Sequence, residues 1–518
     1  MKAIRAFLTA AVLCVLVPAS ALPQALTSLS SVRVSYNTRK ATANPQGELK
    51  AQIDALDKEI AEAARFGRNG ELRRLFAKGM TLLAGRPWTD IADYAGSLVV
   101  RSDRVAVDST KPYTARLEQI YSPSIELSRP LTAHAVLRQR AAAGDAARPQ
   151  DIAKDLGTFD GVARDLRESP FSMELDLQAV ADGAYQLTVE VLDNGRESTP
   201  VIGSATLGIV VRKGLDEALT RLQSEAARAT ESVRAEIVYP IDRIRNANRG
   251  RIELRTFNLA ADLAAAEAAA AAAKSGNDPF AGRTGDFKRH YLLEAAGEIM
   301  PYRVYVPTSY SGSRAFPLII ALHGLGATED SFFDGYGKRV PELAEQRGYI
   351  VAAPLGYRVD GFYGFRLSAS AQADPAGRRT LEFSEQDVMQ VLQRMRQQYK
   401  IDENRIYLMG HSMGAIGTWS LGPKYPEIWA ALAPISGLGA ADTVVKMKHI
   451  PQIVVHGDAD PTVAVGGSRT MVAKMKELGV EVKYIEVPGG NHGDVVVPNL
   501  PAIFDFFDTH RRPARATQ

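Results

Sequence analysis

From about residue 280 to the C-terminus, short apolar runs alternate with segments of helical period. The spans 302–307, 318–323, 349–354, 405–410, 430–435, 452–456 and 480–487 read as strands. The spans 338–347, 383–399, 414–425, 466–478 and 498–510 read as helices between them. Strands that are apolar almost throughout must be covered on both faces, and intervening helices supply that cover. This half of the chain is therefore predicted to be α/β, a mostly parallel sheet with helices on both sides.

The part before it has a different grain. Residues 46–84 read as helical, with Leu49, Ile53, Leu56 and Ile60 on one face, until Gly85-Arg86-Pro87 breaks the pattern. Residues 95–213 switch to period two: Met173, Leu175, Leu177 and Ala179 alternate with polar residues, as do Tyr185, Leu187, Val189 and Val191. Asp182-Gly183 and Asn194-Gly195 sit where hairpin turns are expected. The segment is predicted to be a small β-sandwich of immunoglobulin-like kind. Residues 214–276 return to helix and contain an alanine-rich run at 259–274, expected to be a spacer because alanine favours helix but offers little to bury. The expected organisation is thus 1–21 signal peptide, 22–94 helical segment, 95–213 β-sandwich, 214–276 helical spacer and 277–518 α/β domain.

The signal rests on a basic start (Lys2, Arg5), an apolar run over 6–17 and the small residues Ala19-Ser20-Ala21, with cleavage expected near Ala21. The run is too short to span a bilayer, and no stable membrane insertion is expected. Cys14, the one cysteine among 518 residues, lies inside it, so an exported mature chain would fold without disulfides. With 62 basic and 59 acidic residues, the charge gives no reason to expect nucleic acid.

Gly410-His411-Ser412-Met413-Gly414 stands between a predicted buried strand and a predicted helix. A serine on that sharp turn faces outward, and the flanking glycines let strand and helix pack closely. The Met413 amide then lies at a helix N-terminus, where negative charge is stabilised. Glycines in His323-Gly324-Leu325-Gly326, at another strand end, let the Leu325 amide approach the same oxygen. Serine needs a base, and His492, in the glycine-rich loop 487–495, is the candidate. His323 and His456, directly after strands, are expected to brace loops instead. The orienting acid is sought in 453–463, where Asp460 is preferred and Asp458 is the alternative. The order Ser412, Asp460, His492 is that of an α/β-hydrolase.

On "HGLG" at 323, "GHSMG" at 410, "HGDAD" at 456 and "NHG" at 491, residues from about 285 to 512 resemble the α/β-hydrolases that include polyhydroxybutyrate depolymerase-like, feruloyl and acetylxylan esterases. The catalytic domains of prolyl oligopeptidases are related to this group. The resemblance implies a serine esterase with Ser412 as nucleophile, Asp460 as acid, His492 as base, and Leu325 with Met413 as oxyanion hole. It implies a small-molecule or polymer-linked ester as substrate and no cofactor or metal. A short-peptide peptidase, a polyester or polysaccharide-ester hydrolase, and a ligand-binding protein on an inactive hydrolase fold are the alternatives. The chain has no propeller-length repeat of the kind that prolyl oligopeptidases carry. Tyr357, Phe362, Tyr363 and Phe365, following a strand at the sheet's carboxyl edge, either offer rings for stacking on substrate or pack among themselves. Oligomeric state is not legible.

Overall fold

The computed structural model describes residues 29–513 apart from 126, 128–130, 140–150, 194–200, 253–257, 277 and 366–374. The signal segment, Cys14 and Asn194-Gly195 lie outside the described residues.

The helical pattern before residue 84 forms α1 (Leu29–Ala43), α2 (Gly47–Arg65) and α3 (Asn69–Leu83). Ile53, Leu56 and Ile60 bury against Leu72, Leu75 and Phe76. The single helical stretch of the sequence reading is broken at Gly67, whose φ of 66° is left-handed. A further helix, α4 (Asp90–Ser97), starts where the Thr89 hydroxyl accepts from the Ala92 amide at 3.2 Å.

The period-two region makes two facing sheets. One holds β1 (Leu98–Ser102), β3 (Tyr113–Gln119) and β6 (Phe171–Leu175). The other runs β2 (Ala106–Val107), β8 (Val201–Val211), β7 (Gly183–Leu192), β4 (Leu131–Gln139) and β5 (Ile152–Val162). Leu117, Met173 and Leu175 from the first meet Ala133, Leu187 and Val189 from the second in one core. Asp182-Gly183 is not a hairpin turn: β6 pairs with β3 while β7 pairs with β4 and β8, so the chain crosses between sheets there. Ala179 also leaves the alternation, exposed and at φ 64°.

Next come α5 (Leu215–Ala226), α6 (Glu231–Asn248) and α7 (Leu259–Lys274). The alanine-rich α7 is not a spacer. Leu259, Leu263, Ala266, Ala269 and Ala270 are buried with Leu222, Val233 and Ile237 of its neighbours. Small side chains make this packing possible, because they let helix axes approach closely.

The remaining chain is an eight-stranded sheet in the order β9 (Gly285–Leu293), β10 (Glu298–Val306), β12 (Ile350–Pro354), β11 (Phe316–Leu322), β13 (Ile401–His411), β14 (Ala431–Ile435), β15 (Gln452–Gly457) and β16 (Val482–Val487). β10 is antiparallel to β9 and β12; from β12 to β16 all neighbours are parallel. Its helices are α8 (Arg339–Arg347), α9 (Pro375–Gln398), α10 (Met413–Leu421), α11 (Gly466–Glu477) and α12 (Val496–Thr509). Along β11, Leu318, Ile320 and Leu322 join one core with Val388, Trp419 and Met471, while Ile319 and Ala321 join the opposite core with Leu343 and Phe504. That two-sided burial explains the near-continuous apolar reading of these strands.

β9 is absent from the sequence expectation because Lys288, Arg289 and His290 interrupt its apolar residues. It is the sheet edge, and α6 covers it: Glu236 accepts from Arg289 Nε at 2.8 Å and from the His290 amide at 3.1 Å. Among the described residues no helix is long and apolar enough to cross a membrane.

Candidate active site

Parallel strands bring the candidate residues to one edge. Leu322 pairs with Gly410, His411 with Ile435 and Gly457 with Val487, so the carboxyl ends of β11, β13, β14, β15 and β16 lie level. The segments holding Leu325, Ser412, Asp460 and His492 all leave from that edge.

Ser412 joins β13 to α10 at φ 58° and ψ −116°, outside the regions a serine ordinarily adopts. Such a residue costs roughly 1–3 kcal/mol and persists only when its surroundings hold it. Here the Ser412 amide donates to the Ile435 carbonyl at 2.9 Å and its carbonyl accepts from Ile416 at 3.0 Å. The glycines are required by contact. A Cβ on Gly410 would lie 2.2 Å from the Gly414 carbonyl oxygen, and one on Gly414 would lie 1.8 Å from that of Leu322. Both obstacles are backbone, so relief means moving helix from sheet. Gly414→Ala is expected to destabilise the protein by more than about 3 kcal/mol or to prevent soluble expression, measured as the denaturant midpoint against wild type.

His492 Nδ1 lies 2.7 Å from Asp460 Oδ2. The carboxylate accepts, so Nδ1 carries the proton and Nε2 of the neutral ring is free to take one. The Asp460 side chain is fully buried and satisfied: Oδ1 accepts from the Thr462 and Val463 amides, and Oδ2 also lies 3.2 Å from His456 Nε2. Burial alone would raise its pKa; the hydrogen bonds from His456, His492 and Val463 outweigh that and hold it well below the usual carboxylate range. Asp458 instead is exposed and accepts from the Gly489 amide at 2.6 Å. The structure therefore puts Asp460, not Asp458, against His492.

His411 takes a part that sequence reasoning missed. Its Nε2 donates to the His492 carbonyl at 2.9 Å, so its Nδ1 accepts from the Tyr336 hydroxyl at 2.8 Å. Burial, then the nearby His492 ring, lowers its pKa to about 4, so it stays neutral beside His492. Tyr336, in the turn before α8, has no motif around it that would have drawn notice. His323 is held between the Gly324 and Leu355 carbonyls, and His456 between Ser468, Val463 and Asp460. Both brace loops.

The oxyanion candidates flank Ser412. Met413 opens α10, so its amide is among those a helix leaves without an internal acceptor. Gly324 packs on the serine, its Cβ position 3.4 Å from Ser412 Cβ, and Leu325 follows it. The next amide, Gly326, donates to the Val359 carbonyl at 2.8 Å. Among the described residues no cluster of three His, Cys, Asp or Glu side chains could hold a metal.

The serine turn and the strand ends that carry Leu325 and Ser412 lie on a segment matched by a family model: residues 294–449 fit the family described as "Putative esterase", and Asp460 and His492 follow that segment. The C-terminal domain has an α/β fold, and over residues 294–449 it is similar to that esterase family. Over 137 residues the chain is 30% identical to feruloyl esterase B of Neurospora crassa, covering 26% of this chain and 44% of that one. Over 175 residues it is 28% identical to a bifunctional acetylxylan esterase/xylanase of Neocallimastix patriciarum, covering 34% and 23%. The chain thus spans less than half the length of either relative. The crystal structure of a thermostable esterase superposes on 80% of this chain and 100% of its own, at 17% identity and a TM-score of 0.39.

In this domain the aromatic loop after β12 reads differently from the stacking expectation. Tyr363 is fully buried, its hydroxyl on the His323 carbonyl at 3.1 Å and its ring against Gly356 and Gly417. Tyr357 is also buried, edge-on to Phe383, with its hydroxyl 3.2 Å from Glu298. These two rings are packing, not a platform for substrate; Phe362 and Phe365 remain half-buried. Tyr357, Phe362 and Tyr363 all have positive φ, so the loop is strained and needs anchors.

One anchor is Asp387 of α9, fully buried, accepting from the Tyr291 hydroxyl at 2.5 Å and the Tyr357 amide at 2.8 Å. Burial pushes its carboxyl up to about 6 despite those bonds. A folded pKa above the unfolded one means the protonated group favours the fold. That contribution is complete below about pH 4 and is lost as pH rises through about 6. The asparagine variant removes it. Between pH 4.5 and 7.5, Asp387→Asn should therefore gain on the order of 2 kcal/mol relative to wild type, read by urea denaturation of both proteins at each pH.

Proposed function

We propose that this chain is an exported serine carboxylesterase. The observation that carries the reading is the buried Asp460 carboxylate on His492 Nδ1, with the His492 carbonyl bonded to His411, the residue before a serine at a strained strand-to-helix turn. His492 Nε2 takes the Ser412 proton as Oγ attacks the ester carbonyl. The Leu325 and Met413 amides hold the oxyanion. The alcohol leaves with the proton from His492, and water, deprotonated by the same nitrogen, hydrolyses the acyl-enzyme. Turnover needs no metal or cofactor.

The names of the relatives, a feruloyl esterase and an acetylxylan esterase, favour feruloyl and acetylxylan esters as substrates. The same proposal keeps the export signal, supported by the basic and apolar start, and an immunoglobulin-like sandwich over 95–213, supported by two facing sheets. Its catalytic domain runs over 277–518.

The test is initial-rate hydrolysis of a matched panel with Ser412→Ala as blank: short- and long-acyl nitrophenyl esters, methyl ferulate, an acetylated sugar and a peptide anilide. Fast ester turnover without anilide cleavage supports the esterase. Methyl ferulate or the acetylated sugar as preferred substrate supports the substrate class. Anilide cleavage at comparable rates would move the assignment to a peptidase, and no turnover above the blank would remove the enzyme reading.

A further inference from the structure

We infer that Arg358 is a positioning residue for the oxyanion-binding loop, clamped by Glu298, and that the helical segment before the hydrolase sheet completes the clamp through Arg251. This rests on the esterase reading of Ser412 and Leu325 above.

The route is short. Leu325 is followed by Gly326, whose amide donates to the Val359 carbonyl. Val359 follows Arg358. The Arg358 guanidinium reaches both oxygens of Glu298 through Nη2, at 2.9 and 2.8 Å, and the Tyr357 carbonyl through Nη1 at 2.8 Å. It also lies 3.8 Å over the Tyr357 ring. Glu298 is 3% exposed and sits on β10, so its carboxylate is fixed by the sheet. The loop it anchors includes Tyr357 at φ 62°, a backbone that would relax if released.

Arg251 Nη1 meets the same carboxylate at 3.2 Å. Arg251 comes just after α6, which is itself tied to the sheet: Asp242 accepts from the amide of Ile299, the neighbour of Glu298, at 2.9 Å, and Glu236 holds Arg289. The helical segment thus supplies one of the two cations that neutralise a buried carboxylate next to the oxyanion loop. An oxyanion hole works because its donors are placed before charge develops, and a looseness of about half an ångström weakens it.

The variant that tests this removes both charges at once, Glu298→Gln with Arg358→Met, so no buried carboxylate is left unpaired. Hydrogen exchange followed by mass spectrometry over 323–328 reads the loop directly. Exchange there should accelerate at least about tenfold, with exchange over 405–413 unchanged. With the preferred nitrophenyl ester, kcat should fall about 10- to 100-fold while KM stays within about threefold, the split expected of an interaction made in the transition state. Arg358→Lys should fall between variant and wild type, since a single ammonium cannot reproduce the planar fork; it carries the test if the double variant does not fold. Unchanged exchange over 323–328, or a rise in KM with kcat intact, would overturn the inference. If wild-type protein hydrolyses no ester, the esterase reading fails, and the exchange result still decides whether Arg358 holds the loop.

Discussion

Ser412→Ala is expected to lower ester turnover by about 10⁴- to 10⁶-fold while leaving the fold intact. The local geometry makes the substitution clean. Alanine has the same Cβ as serine, so the φ of 58° imposes no strain that serine does not already carry. The backbone bonds that hold the turn, to Ile435 and from Ile416, do not involve the hydroxyl. The loss is therefore of the nucleophile alone. The oxyanion amides and His492 stay in place and leave only a residual rate above water. Rates on a nitrophenyl ester, thermal denaturation, and labelling by a phosphonate probe are the three measurements. Wild type should label at Ser412, and the variant should neither label nor turn over, with a Tm within about 2 °C. A pure variant that still hydrolyses the ester would sink the assignment.

The parts of this molecule visible in the sequence are those built from hydrophobic periodicity and backbone-demanding glycines. β11 and β13 read as buried strands because both faces are covered, and Gly410 and Gly414 are forced by contacts under 3 Å that tolerate no side chain. Asp460 was separable from Asp458 only by preference, because both follow β15 within four residues and the choice depends on which one turns inward. What stayed hidden was carried by polar or small groups. β9 and α6 meet through Arg289, His290 and Glu236, and charged contacts leave no apolar stripe to read. The alanine run of α7 is half-buried and half-exposed with nearly uniform side chains, so its face has no contrast. Tyr357 and Tyr363 looked available because aromatic residues in a loop beside a site serve equally as packing or as platform. Gly356, Gly417 and Asp387 decide it, and the latter two lie far along the chain.

Asp460→Asn is the second large effect expected, on the order of 10⁴-fold in kcat, and it tests the proton arrangement rather than the nucleophile. The shape of the side chain is kept, and one oxygen can still accept from the Thr462 and Val463 amides. The other position then becomes an NH2 that faces His492 Nδ1 and His456 Nε2, both of which now meet a donor. To avoid that clash His492 must adopt the other tautomer, with its proton on Nε2. That nitrogen can no longer accept from Ser412, so attack loses its base although every heavy atom is near its place. Two observations separate this from simple disruption. First, KM should change far less than kcat, because the oxyanion and acyl contacts are untouched. Second, acid sensitivity should fall. The depressed Asp460 pKa contributes stability above the unfolded carboxylate value of about 4, and wild type loses it as pH drops below that. The asparagine variant has no such loss, so its stability curve should be flatter on the acid side. A variant that retains kcat within tenfold would remove Asp460 from the triad and reopen Asp458, which accepts only from Gly489 in the described structure and would have to turn inward to serve.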